Sequence, residues 1–185
     1  MINFKSKSAT NVIDTKVVMN NKTLRVLTIQ EANVMDGVQF AKDLRLLEKD
    51  LDDRNQSQFD PLVAHIGDAW VQPKNDEAYL RTFTKECDGC VWLLIDGEHA
   101  IGMLHTAFAY DYRHVGNIRL FIIDKDYRNQ RIGTGLFKFM LDNVEKIHGK
   151  LHGLFIRYYL DNLPAKKLYA SFGFKPNTCV SVKLM

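Results

Sequence analysis

Apolar and polar positions alternate along the chain with a period that changes several times, and each change marks a boundary. The first 22 residues, MINFKSKSATNVIDTKVVMNNK, are polar with no sustained period and predict a loosely docked extension, leaving 23–185 as one domain. LRVLTI (24–29) reads as a short strand. Val34, Val38, Ala41, Leu44, Leu47 and Leu51 then recur at three- and four-residue spacing, which places one apolar stripe on a helix. DDRNQSQ breaks that pattern. Asp60-Pro61 supplies an N-cap and a first-turn proline for a second helix through about Trp70, which Pro73 ends, and NDEAYLRTFTKE predicts a further short helix.

From Cys90 the period becomes that of strands. CVWLLI (90–95), a turn at Asp96-Gly97 and HAIGMLHTAFAY (99–110) predict a hairpin. A loop around DYRH leads into VGNIRLFII (115–123), another strand. Leu136, Met140, Val144 and Ile147 line a helix, GLFIRYYL (153–160) a strand, Leu163 to Phe172 a helix, and CVSVKL (179–184) a last strand. The order β-αα-βββ-α-β-α-β describes a mixed α/β protein without repeats or low-complexity tracts.

Composition narrows the picture in a few places. Apolar residues at 46% and charged residues at 25% of 185 suit one globular core. The net charge of +3 fits a phosphate-bearing ligand and decides nothing alone. No apolar run reaches the roughly 18 residues of a membrane span, and the start lacks an apolar secretory core, so no membrane association is expected. Three cysteines (Cys87, Cys90, Cys179) argue for a reducing, cytoplasmic setting. Cys87 and Cys90 make a lone CxxC that leads into a strand, so neither a metal site nor a redox helix is expected. Basic residues are dispersed, with no aromatic-basic stripe, and no nucleic-acid partner is expected.

The chemistry concentrates in YRNQRIGTGL (127–136), which joins the strand ending at Ile123 to the next helix. The first amides of a helix lack acceptors, and the helix dipole puts partial positive charge there. Gly133 and Gly135 allow close backbone approach, and Lys125, Arg128 and Arg131 add charge. Read alone, the loop is either an anion site or a plain connection with solvated arginines. Both GxxxxGK[ST] and GxGxxG are absent, which disfavours a nucleotide triphosphate or a dinucleotide.

LFIIDKDYRNQRIGTGL resembles the acyl-CoA loop of the GNAT N-acetyltransferase superfamily, whose pattern runs from a strand through R-x-x-G-x-G/A into a helix. Asn162-Leu163-Pro164-Ala165-Lys166-Lys167-Leu168-Tyr169 with Phe172-Gly173-Phe174 resembles that family's N-x-x-A-x-x-L-Y-x-x-x-G-F segment, and LRVLTIQEANVMDGV its opening strand and helix. The likeness covers roughly residues 24 to 184. It implies a mixed, mostly antiparallel six- to seven-stranded sheet flanked by helices, with acetyl-CoA as cosubstrate between the strand ending at Ile123 and the strand ending near Leu160.

By the same resemblance, Phe121, Ile122 and Ile123 would line the pantetheine arm. The Phe121 amide would polarise the acetyl carbonyl, where attack by an amine builds negative charge. Arg128, Asn129, Gln130, Arg131, Ile132, Gly133, Thr134 and Gly135 would wrap the pyrophosphate, and Asn162 would hold the arm from the other side. Tyr169 would be the general acid for the departing thiolate. Gly135 would let the helix pack close to the cofactor. Arg131 stands where the pattern has its first glycine, so its backbone is expected to keep negative φ with the side chain outward.

The base is unassigned, because Asn117 and Arg119 stand where family members carry Glu or His; His105, Asp111, His114 and a water are alternatives. An acceptor wall could come from AYDYRH, with Asp111 drawing an ammonium, and from the helix near Trp70. The implied activity is transfer of acetyl to a primary amine of a small molecule of polyamine, amino-acid or aminoglycoside type. Acetylation of a protein N-terminus or lysine, and a non-catalytic acyl-CoA sensor, are the alternatives. A homodimer through the last strand or the helical region is left open.

Overall fold

The computed structural model describes residues 12–58, 75–85, 88–109, 112–159 and 161–176. Six strands form one sheet in chain order, antiparallel except for the last pair. The expected class, a mixed and mostly antiparallel sheet flanked by helices, is what the chain adopts.

The sheet begins earlier than the polar start implies. Asp14–Met19 (β1) pairs with Lys22–Ile29 (β2) through a two-residue turn, Asn20-Asn21, at φ 50° and 62°. Asparagine tolerates this left-handed pair of dihedrals, which matches the twist of the strands. The extension predicted over the first 22 residues is thus corrected for Asp14–Met19: DTKVVM alternates exposed and half-buried positions as an edge strand does.

The predicted apolar stripe is one face of two consecutive segments, a 3₁₀ segment Glu31–Phe40 and helix α1, Ala41–Gln58. DDRNQSQ does not break the helix; it forms its last turns. The Asp60-Pro61 helix lies outside the described residues. Helix α2 is Asp76–Thr84, started by Asn75, whose side chain accepts the Ala78 N–H at 2.7 Å.

Strands β3 (Cys90–Asp96), β4 (His99–Ala109) and β5 (Tyr112–Ile123) carry the middle of the sheet. Their alternate side chains fill two cores. Val91, Leu93, Met103 and Ile122 meet α1 and α2, while Trp92, Leu94, Leu104 and Ile118 meet helix α3, Ile132–His148. Burial on both faces explains why CVWLLI is continuously apolar. β5 begins at Tyr112, so the expected DYRH loop is largely strand.

Strand β6 is Gly153–Ile156, parallel to β5, and stops four residues short of the predicted Leu160. Helix α4, Leu163–Ser171, follows Asn162, whose side chain accepts the Ala165 N–H at 3.2 Å. The strand expected at 179–184 lies outside the described residues.

Candidate acyl-CoA site

β6 pairs with β5 only over Val115–Ile118, yet β5 continues to Ile123. The register against β4 shifts at the same level: His105 faces Leu120 and Thr106 faces Ile118, leaving Arg119 as an extra, bulged residue. A bulge bends the strand that carries it and adds twist. β5 and the chain leaving β6 therefore separate, and among the described residues 119–123 have no strand on that side.

Backbone direction settles which groups face this opening. The Asp124 N–H donates to Ile101 O of β4 at 2.8 Å. Groups alternate along a strand, so the N–H groups of Phe121 and Ile123 point the other way, into the opening. Ile122 is turned toward β4: a Cβ added at Gly102 would lie 3.4 Å from its carbonyl oxygen, and its side chain is buried under α1 and α2. Its expected place beside the arm is thereby corrected, since a one-residue step reverses both backbone and side chain.

At the end of β5 a short turn, Lys125–Tyr127, is started by Asp124, whose side chain accepts the Asp126 N–H at 2.8 Å. Asn129 (φ 61°) and Arg131 (φ 59°) both lie in the left-handed region. The expected negative φ at Arg131 is therefore wrong. The turn into α3 needs the conformation that glycine supplies free, and arginine holds it at a cost of about 1 kcal/mol. Its side chain is exposed, as expected.

Arg131 is the N-cap of α3, no side chain caps this end, and the first turn carries no acid. The first bond of the new helix is Gly135 N–H to Arg131 O at 3.0 Å, so the amides of Ile132, Gly133 and Thr134 have no helical acceptor. A Cβ at Gly133 would sit 3.2 Å from Ile123 Cγ1 and 3.4 Å from Phe121 Cζ, so this helix start rests against the end of β5. Gly135 serves a different neighbour from the one expected: its Cβ would meet Met19 Cγ and Sδ at 2.9 Å. The small residue there admits β1.

Two of the loop side chains are engaged internally, while those of Asn129 and Thr134 are exposed. Gln130 Nε2 donates to Asp126 O at 2.7 Å. Arg128 Nε donates to Ile123 O at 2.8 Å, and its Nη2 is ion-paired with Asp50 of α1. The separation of 78 residues kept this partner invisible in the sequence.

Tyr169 is 6% exposed, packed against Phe137, Tyr158 and Phe174. Burial pushes its phenol up to about 12, against the opposing pull of Arg54 on α1. The group stays protonated at neutral pH, as a proton donor must. Asn162, besides capping α4 through its side-chain oxygen, donates its backbone N–H to Tyr159 O at 2.9 Å.

The alternatives for the base are spread over the fold. His105 is buried, its ring edge-on to Phe83 at 5.4 Å, and burial takes its pKa down to about 4. His114 pairs with His152 and sits nine residues from Ile123, roughly 30 Å along the strand. Asn117 is paired with Phe155, while Arg119 is the exposed bulge residue. Asp111 and Trp70 lie outside the described residues. Sequence reasoning also missed Glu48 on α1, which accepts the Tyr79 hydroxyl at 2.6 Å and whose carboxyl is raised by burial. Its i, i+4 spacing from Leu44 in the apolar stripe was the available signal. Cys90 is buried, with its thiol pushed up by burial. Among the described residues, no helix is long and apolar enough to cross a membrane.

Solved structures share this architecture. An aminoglycoside acetyltransferase from an uncultured soil metagenomic sample is 14% identical, with 88% of this chain and 95% of that one covered at a TM-score of 0.57. AAC(6')-Iy, in complex with the bisubstrate analogue CoA-S-monomethyl-acetylneamine, is 12% identical over 89% and 99% at 0.58. The ribosomal-protein-alanine N-acetyltransferase of Brucella melitensis biovar Abortus 2308 is 12% identical over 88% and 99% at 0.55. At such identities these likenesses establish the fold. No significant match is found among curated proteins. The family model described as Acetyltransferase (GNAT) family matches residues 53–174, more than half of the chain, and takes in β5, the loop, α3, Asn162 and Tyr169. The chain belongs to the GNAT acetyltransferase family.

Proposed function

We propose that the chain is an acetyl-CoA-dependent N-acetyltransferase acting directly on a primary amine of a small molecule. The observation that carries this reading is the uncapped start of α3 beside the unpaired end of β5, with Tyr169 behind it. Amides without acceptors at a helix start suit a pyrophosphate, and an open strand edge suits the amide-rich arm joined to it. Acetyl-CoA supplies the activated acyl group.

In this reading the amides of Ile132, Gly133 and Thr134 hold the pyrophosphate, joined by those of Asn129, Gln130 and Arg131, while the Arg128 N–H is taken by Lys125 O at 3.3 Å. The Phe121 and Ile123 backbone holds the arm, with the Asn162 NH₂ across from it. The Phe121 N–H is fixed by the strand before reaction, so it stabilises charge building on a carbonyl oxygen without reorganising. The protonated Tyr169 hydroxyl donates to the departing sulfur.

The aminoglycoside acetyltransferases among the similar structures favour a small amine; polyamines and amino acids belong to the same chemical class. Calorimetry with acetyl-CoA, followed by thiol release over a panel of these amines, tests the proposal. Tyr169→Phe should lower kcat by about 100-fold or more with acetyl-CoA affinity kept. Absence of acetyl-CoA binding sinks the reading. Turnover with peptide amines alone moves the acceptor to proteins, and binding without thiol release leaves a sensor.

A further inference from the structure

Arg128 opens the loop pattern, but its guanidinium is committed within the protein. Nε is on Ile123 O, the last carbonyl of β5, and Nη2 is on Asp50 of α1. Both side chains are half-buried, so the pair is shielded better than a surface ion pair. Arg54, one turn along the same helix, feels the charges of Arg128 and Asp50, and its own charge acts on Tyr169. Helix α1 thus contacts the anion-binding loop at Asp50 and carries, at Arg54, a cation whose field reaches the proposed acid.

The anchor also sits where the backbone needs it. Asn129 and Arg131 hold left-handed dihedrals that cost energy, and such conformations persist only when surrounding contacts over-determine them. Arg128 directly precedes this pair. A guanidinium locked between the strand end and Asp50 fixes where the strained turn starts, and hence where the amides of Ile132, Gly133 and Thr134 lie.

We infer that Asp50 is a positioning residue for the acyl-CoA loop, acting through Arg128 and tying α1 to the pyrophosphate end of the site. The inference rests on the acetyl-CoA reading above. Asp50 touches no substrate; its carboxylate orients Arg128, leaving the loop amides to meet the anion.

The test is calorimetry with acetyl-CoA on the full chain for wild type, Asp50→Asn, Arg128→Gln and the double variant. Asp50→Asn should weaken binding about tenfold, as loss of one charge-assisted bond predicts. The double variant should be no weaker than Arg128→Gln alone, because the two residues act as one unit. Asp50→Glu, which keeps the charge, should recover part of the loss. A second readout excludes a merely structural role: with S-acetyl-pantetheine, which has no pyrophosphate, Asp50→Asn and wild type should turn over an amine equally. Wild-type affinity in Asp50→Asn, penalties that multiply in the double variant, or an equal loss on S-acetyl-pantetheine each overturn the inference. If wild type itself binds no acetyl-CoA, the functional reading falls and takes this inference with it.

Discussion

At its C-terminal end α3 closes on Gly149, at φ 75°, whose N–H donates to Glu145 O at 2.9 Å, while the Glu145 side chain accepts the Leu151 N–H at 3.0 Å. His148 there reaches Thr106 Oγ1 at 2.8 Å, and that hydroxyl accepts the Trp92 N–H at 2.9 Å. At the N-terminal end the same helix starts from a strained arginine with no cap, no acid and three amides without helical acceptors. The two other helix starts with a described cap, at Asn75 and Asn162, carry side-chain acceptors. Those two starts are finished with Asn, and the far end of α3 with Gly. The exception lies beside the open edge of β5, which is why it reads as a binding surface and not as a defect.

The difference can be broken at the open end. Thr134 is exposed in the first turn of α3, so Thr134→Glu would give this end the acid it lacks. Interaction with the helix dipole should raise stability by about 0.5 kcal/mol. The same carboxylate near a pyrophosphate should weaken acetyl-CoA binding at least about 100-fold, since like charges some 5 Å apart at a protein surface cost about 3 kcal/mol. Thermal unfolding and calorimetry read the two changes separately. A variant that binds as wild type does would show that anions do not use this end.

The two ends were unequally legible in the sequence. Gly149 and the stripe Leu136, Met140, Val144, Ile147 are local signals, as is the glycine-bearing loop itself. Continuous burial made the middle strands plain. What stayed hidden depends on three-dimensional strain or on distant partners. YRNQRIG gives no local reason for arginine to adopt positive φ, because the demand comes from joining β5 to α3. Apolarity continues past Ile156 to Leu160, so composition could not report that β6 diverges there. The Asp50–Arg128 contact is long-range. β1 was findable: Asn-Asn between β-branched runs is a hairpin signal, outweighed by the polar residues around it.

At the closed end the sharper test is acid. Burial holds His148 at about 4, against an ordinary value of 6.5, and His105 likewise. The folded state keeps both imidazoles neutral while the unfolded chain takes up a proton on each below about 6.5. The unfolded state then binds more protons, so stability falls as pH drops from about 6.5 to about 4 and is fully present above that window. Each shift corresponds to roughly 3 kcal/mol at the bottom of the window. Urea titrations across this range should show His148→Gln with a shallower slope, by about one proton. An unchanged slope would mean that His148 already protonates in the folded state.

The smallest effect returns to the strained start of α3. If Arg131 holds φ 59° because the turn demands it, glycine there relieves the strain and alanine does not. Arg131→Gly should therefore be more stable than Arg131→Ala by about 1 kcal/mol, the usual margin at a left-handed position. Both lose the guanidinium equally, so this margin isolates the backbone. Acetyl-CoA binding then isolates the charge: an exposed arginine reaching a phosphate should be worth about threefold at low salt and little at high salt, in both variants alike. Equal stability of the glycine and alanine variants would show that the turn relaxes without left-handed geometry, and the contrast between the two ends of α3 would then lie in capping alone.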